Sequence, residues 1–261
     1  MSKRKRLITL FGVISLLSIF LGSFIQGKYV VPIVMYHSVN PGALPENRIA
    51  ILPETFERQM HFLKSHHYNV LSLESVATLI KERKRIPPRT IGITFDDGYK
   101  DNYIYAFPIL KKYNLPATIF IITDEVGRAD RLSWDEIKTM QDSGIVTFGS
   151  HALGPEPLIN IKSEQELRKQ IFNSKKILEE KLGHRINAFS YAGGMFNDRI
   201  KQLVMEAGYK LAVATNPGKK FVDDDIFALK RLRISANANN LFIFWIETSG
   251  YYNFMREHRH K

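Results

Sequence analysis

The chain has 261 residues, 44% of them hydrophobic, and a formal net charge of +11 from 37 basic and 26 acidic side chains. That length carries one substantial core, and a single α/β barrel needs about 250 residues. With no cysteine, disulfides and thiolate chemistry are excluded, and any metal must be held by His, Asp or Glu. The basic residues are scattered and accompany no nucleic-acid motif, so the charge reads as a solvated surface and no nucleic-acid partner is expected.

Residues 1–6 read Met-Ser-Lys-Arg-Lys-Arg, and residues 7–25 are free of charge and mostly apolar. A stretch of about 20 such residues can cross a bilayer as a helix. The basic flank predicts a cytoplasmic N-terminus. No Ala-x-Ala site follows, so the segment reads as an uncleaved signal anchor, with a cleaved signal peptide and secretion as the alternative. The chain thus divides into 1–28, a basic end with its transmembrane anchor, and 29–261, one domain expected outside the cytoplasm.

From residue 30 onward, short apolar runs alternate with helical patterns. Residues 31–36 are the first expected strand. The spacing of Phe56, Met60 and Leu63 predicts a helix over 53–66. A strand over 68–73 and a helix over 73–83 follow, then a strand over 90–95. A helix over 101–113 carries a kink at Pro108. After a strand over 117–122, Ser133 and Glu136 have the spacing of a capping box for a helix ending near Gly144. A strand over 145–149 comes next. Ser163 and Glu166 open the longest helix of the domain, stopped by Gly183. Strands over 187–191, 211–215 and 229–234, a helix over 197–207 and a terminal helix over 239–252 complete the series. About seven or eight such units with no linker argue for a mainly parallel sheet in one barrel-type domain.

In a parallel barrel, functional side chains gather at the carboxyl ends of the strands. Those ends read Tyr36-His37, Asp96-Asp97, Ser150-His151, Tyr191-Ala192-Gly193-Gly194 and Thr215-Asn216. Neighbouring carboxylates repel, so one of the pair needs a cation or a proton. Gly98 lets the backbone turn tightly just after them. Without a site, Asp-Asp-Gly is a strand followed by a common turn, and His37 is a packed or hydrogen-bonded residue. Trp245, Tyr251, Tyr252 and Phe254 can stack on sugar faces, but apolar helix spacing explains them as a seal on the barrel's open side.

Thr94-Phe95-Asp96-Asp97-Gly98 resembles the first motif of the polysaccharide deacetylases, carbohydrate esterase family 4 or the NodB-homology domain. Ser150-His151 is similar to the start of their second motif. Phe189-Ser190-Tyr191-Ala192-Gly193-Gly194 resembles the Tyr-Pro-x-Gly form of the third. Met35-Tyr36-His37-Ser38-Val39 looks like the leading strand of the branch that handles extracellular poly-N-acetylglucosamine. The resemblance implies a distorted (β/α) barrel, preceded here by one membrane helix. It also implies a divalent metal, zinc first, and removal of acetyl groups from an acetylated polysaccharide.

By motif match, Asp96 would be the general base, Asp97 and His151 metal ligands, and the main chain near Tyr191 an oxyanion donor. The second motif's further His falls on Pro155 and Glu156. Proline cannot ligate. Glu156 can, which makes Asp97, His151 and Glu156 the expected metal set, with His37 as a catalytic group or substitute ligand. Ser190 stands where many members carry Arg, Ala192 replaces a proline, and no late His is evident beside Asn237, Asn239 and Asn240. Two functions follow. One is a membrane-anchored, metal-dependent deacetylase of an N-acetylated envelope glycan. The other is a catalytically silent relative that binds glycan or scaffolds an envelope complex.

Overall fold

The computed structural model describes residues 29–44, 46–47, 49–82, 84, 86–215, 225–234 and 239–252. The expected membrane segment over 7–25 lies outside them, as do Asn216, Asn237 and Phe254. No described helix is long and apolar enough to cross a membrane.

The Thr90-Ile91-Gly92-Ile93-Thr94-Phe95 run forms β5 (Thr90–Phe95), buried along its whole length. A near-continuous apolar run is what a strand covered on both faces of a parallel sheet requires. Around it lie β1 (Ile33–Tyr36), β4 (Asn69–Leu71), β6 (Ala117–Ile121), β7 (Val146–Ser150), β8 (Ala188–Ser190), β9 (Leu211–Ala214), β10 (Leu229–Lys230) and β11 (Leu232–Arg233). They order as β10-β9-β8-β7-β6-β5-β1-β11, with β4 on β5, and the ladders are parallel. Two short strands, β2 (Ser38–Val39) and β3 (Ala50–Ile51), pair apart from this sheet.

Among the described residues the main sheet has nine strands rather than about seven, partly because one run changes partners midway. Leu229 lies beside Val213 of β9, whereas Leu232 lies beside Val34 of β1. Arg231 is the single residue between the two pieces. The partner change brings the last strand round to the first and nearly closes an α/β barrel.

Helices α1 (Pro53–Ser65), α2 (Leu73–Lys81), α3 (Phe107–Tyr113), α4 (Trp134–Asp142), α5 (Glu164–Arg168), α6 (Ser174–Leu182) and α7 (Asp198–Glu206) lie between the strands, and α8 (Leu241–Glu247) follows the last of them. The predicted capping box forms at α4, where Ser133 and Glu136 satisfy each other's backbone N–H groups. The helix expected over 101–113 begins instead as a wider π turn, Asn102–Ala106. Pro108 has no N–H to return to the preceding turn, and the helix widens just ahead of it. The terminal helix ends at Glu247, short of its expected limit.

The strands separate two apolar clusters. Val34, Phe95, Ile119 and Phe189 pack outward with helix residues such as Phe56 and Met60. Ile33, Phe120, Val213 and Leu229 face the other way, with Val76 and Ala77 of α2. Because strand side chains alternate, the same inward face of β5 that carries Gly92 carries Thr94 and then Asp96. The barrel interior therefore turns from apolar to polar toward the carboxyl ends of its strands.

Candidate active site

Asp96 follows β5 and is 2% exposed. An unpaired charge at that depth would be costly, and Arg231 removes the problem. Its Nη1 donates to Asp96 Oδ1 and its Nη2 to Oδ2, both at 2.7 Å. Nη2 also donates to Ser190 Oγ at 2.9 Å, and Nη1 to Thr94 Oγ1 at 3.3 Å. This planar, two-pronged fit is specific to arginine. Burial pushes the Asp96 pKa up, but Arg231, aided by His151 and His37, outweighs it and holds the carboxyl well below its usual range. Asp96 is thus a fixed, ionised acceptor.

Arg231 reaches Asp96 from the place where the last strand changes partners, and Ser190 accepts one of its hydrogen bonds. Sequence reasoning missed Arg231. The signal was available: an arginine flanked by Leu229 and Leu232 in an expected strand has to find a buried acid.

Asp97 adopts φ +69° and Gly98 φ +63°, so the chain reverses sharply and turns the Asp97 carboxylate toward β7. His151 follows β7 and is 5% exposed. Its Nδ1 lies 2.9 Å from Ser190 O. A carbonyl only accepts, so Nδ1 carries a proton and Nε2 is left facing the acids. Nε2 is 3.4 Å from Asp97 Oδ1 and 4.0 Å from Asp96 Oδ2. Two acceptors at that spacing call for a proton or a cation between them. Two ligands each about 2.1 Å from one tetrahedral ion would lie about 3.4 Å apart, so Asp97 and His151 fit a divalent cation.

The other expected residues divide. His37, after β1, lines the same cavity of about 300 Å³ as Asp96, Asp97 and His151. Its Nδ1 is buried with no hydrogen-bond partner. Burial pulls the His37 pKa below its ordinary value, against the pull of Asp96 and Asp97. Glu156 is not in that wall. Pro155 is, while Glu156 is exposed and accepts from Asn160 Nδ2 at 2.6 Å. Among the described residues, no three His, Asp or Glu side chains form a group able to hold a metal.

Tyr191 is also set back from the cavity. Its N–H donates to Val213 O at 3.1 Å and its hydroxyl to Phe227 O at 3.0 Å. Its ring stacks on Phe196 at 4.3 Å. The residues after it, Ala192 and Gly193, supply the cavity wall. The turn they make depends on Gly194, at φ +72°, where a Cβ would stand 2.5 Å from the Thr215 Cβ. Tyr99, Arg131 and Arg233 complete the mouth. Arg131 lies over the Tyr99 ring at 4.1 Å and is paired with buried Glu125 at 2.8 Å.

The arrangement can orient water beside an ionised carboxylate, hold a cation at two ligands and present main chain to a developing negative charge. Comparisons with known proteins agree in kind. A family model described as polysaccharide deacetylase matches residues 83–212. The Bacillus subtilis protein YxkH, which carries a polysaccharide deacetylase name, is 32% identical over 204 residues, 78% of this chain and 71% of its own. A Staphylococcus aureus poly-beta-1,6-N-acetyl-D-glucosamine N-deacetylase is 30% identical over 200 residues, 72% of this chain; the match spans 64% of that relative's length. Among solved structures, the Streptococcus pyogenes deacetylase PplD in complex with acetate superposes with a TM-score of 0.73 at 29% identity, covering 82% of this chain and 97% of that one.

Proposed function

We propose that this chain, which belongs to the polysaccharide deacetylase family, hydrolyses the acetamido groups of an N-acetylated envelope or extracellular glycan. The observation that carries the proposal is the meeting of two differently equipped acids in one cavity. Asp96 is clamped by Arg231 at 2.7 Å, and Asp97 faces His151 Nε2 at 3.4 Å. One acid is dressed to take a proton, its neighbour to hold a cation.

In this reading Asp97 and His151 hold a divalent cation, zinc being the metal their donor types suit. When bound, it lowers the pKa of its water toward neutrality and polarises the acetyl carbonyl. Asp96 accepts the proton of the attacking water, and Arg231 keeps that carboxylate ionised and aimed. The main chain at Ala192 and Gly193, rather than that of Tyr191, faces the oxygen that becomes negative, where donors do most for the rate. His37 lines the same cavity and is the group assigned to pass a proton to the departing amine. With Pro155 in the wall and Glu156 outside it, Asp97 and His151 are the protein side chains that would hold the cation, and so few ligands would make its affinity low.

Residues 7–25 are taken as the anchor that holds the domain at the outer face of the membrane. The proline at the expected ligand position favours a second reading, a glycan-binding relative without turnover. The two part on one experiment. Full-length protein in detergent is incubated with N-acetylglucosamine oligomers, with added zinc or with EDTA, and free acetate is measured. Metal-dependent acetate release supports the enzyme. Binding of the oligomers with no acetate at saturating zinc establishes the silent reading.

A further inference from the structure

The end of the barrel away from the candidate active site has its own chemistry. An open groove of about 570 Å³ runs past Tyr29, Lys84, Ile86, Pro88, Arg89 and Tyr251. A second hollow of about 290 Å³ continues from Tyr29 and Lys84 to Leu79 and Ile80. Both lie at the amino ends of β1 and β5, and β5 alone separates them from Asp96 by about 17 Å.

Tyr29 is firmly fixed here. Its hydroxyl donates to Thr90 O at 3.2 Å, its ring meets Tyr251 edge-on at 5.6 Å, and the Val30 N–H donates to Gly250 O at 2.9 Å. Gly250 adopts φ +82°, and a Cβ there would collide with the Tyr29 ring. The two ends of the described domain are thereby tied together at one pole. The uncharged stretch 7–25 ends just before this point, with Gln26, Gly27 and Lys28 between. Fully extended, the link from Ile25 to Tyr29 spans about 14 Å.

We propose that this pole is a membrane-contact face whose groove takes the anionic phospholipid headgroups of the bilayer holding residues 7–25. Tyr29 and Tyr251 sit at the interface, where amphipathic rings are favoured. Lys84 and Arg89, both exposed, meet the phosphates, and the Lys84–Glu82 ion pair at 2.5 Å is one that a phosphate can replace. Ile86 and Pro88 supply the apolar floor. The short link leaves the pole little freedom to turn away, and the catalytic mouth faces outward toward polymer. The proposal rests on reading residues 7–25 as a membrane span.

The natural absence of cysteine makes the test direct. Full-length Pro88→Cys and Arg128→Cys proteins, each labelled with an environment-sensitive fluorophore, are reconstituted into vesicles of phosphatidylcholine with or without phosphatidylglycerol. Nitroxide-headgroup lipid is the quencher. The expected result is at least twofold quenching of the label at position 88 and none at position 128. Adding Lys84→Glu to the Pro88→Cys protein is expected to reduce quenching in phosphatidylglycerol vesicles and leave it unchanged in phosphatidylcholine alone. Alkaline carbonate extraction separates the membrane span from the contact face. Protein that stays in the vesicles with an unquenched position 88, or with position 128 the more quenched, overturns the contact face alone. Protein that carbonate extracts overturns the span and the contact face together.

Discussion

Replacing Arg231 with methionine strips Asp96 of the guanidinium that meets both its oxygens at 2.7 Å. Asp96 is 2% exposed, so water cannot take over. Removing one partner of a buried pair costs about 3–5 kcal/mol, and in a domain of this size that lowers Tm by roughly 6–20 °C. The pH course supplies an independent check. In the native protein, burial raises the Asp96 pKa, but Arg231 with His151 and His37 more than offsets this, and the folded value lies below the unfolded one. The pair's stabilisation is therefore full above the unfolded value of about 3.9 and is lost only as pH falls through the lower folded value. Without Arg231 burial dominates and the order of the two values reverses. The variant is then weakest at neutral pH and recovers on acidification, so its gap from native narrows between pH 7 and about pH 4. The Asp96→Asn/Arg231→Met double variant regains more than half of the loss, because an empty pair leaves no stranded charge. Thermal unfolding in EDTA, across pH, measures all of this. An Arg231→Met protein that melts within about 2 °C of native, or a gap that widens on acidification, would refute the clamp.

Pro155→His places an imidazole on the cavity wall beside Asp97 and His151. It is expected to tighten zinc binding by at least about tenfold in titration calorimetry, and an unchanged affinity would mean that the cation sits elsewhere. Asp96→Asn abolishes acetate release while bound zinc stays nearly constant, whereas Asp97→Asn and His151→Ala lose the metal. Zinc loss in Asp96→Asn would exchange the roles assigned to the two acids. Gly194→Ala forces a side chain into φ +72° against Thr215 and costs about 1–3 kcal/mol in urea unfolding, with the slope against denaturant preserved.

Much of the fold was legible because local signals and tertiary demands agreed. The buried run of β5, the Ser133–Glu136 capping box and the Gly183 helix stop each express one residue's physical constraint, and each is where it was expected. The four residues that share the cavity, His37, Asp96, Asp97 and His151, were legible as strand ends, since a parallel barrel gathers such ends on one rim. What was not legible depends on distance along the chain. Arg231 is 135 residues from Asp96, and nothing local announces the partner change that aims it inward. Glu156 was expected from ligand chemistry alone. Which way a loop residue points is set by the loop's path, and here Asn160 captures its carboxylate while Pro155 takes the wall. Tyr191 is expected through its main chain, but the β8–β9 ladder uses that N–H, and the cavity lining begins one residue later, at Ala192.

The partner change in the final strand has a consequence for how the protein comes to be. Ring closure and the taming of Asp96 are a single event, because the same few residues accomplish both. A nascent polypeptide that has not yet reached Leu229–Arg233 holds an open sheet with a bare carboxylate at its heart, and its catalytic apparatus is unassembled. Synthesis must run past Arg233 before this barrel can either shut or work, so fragments clipped ahead of that strand are expected to be inert as well as unstable.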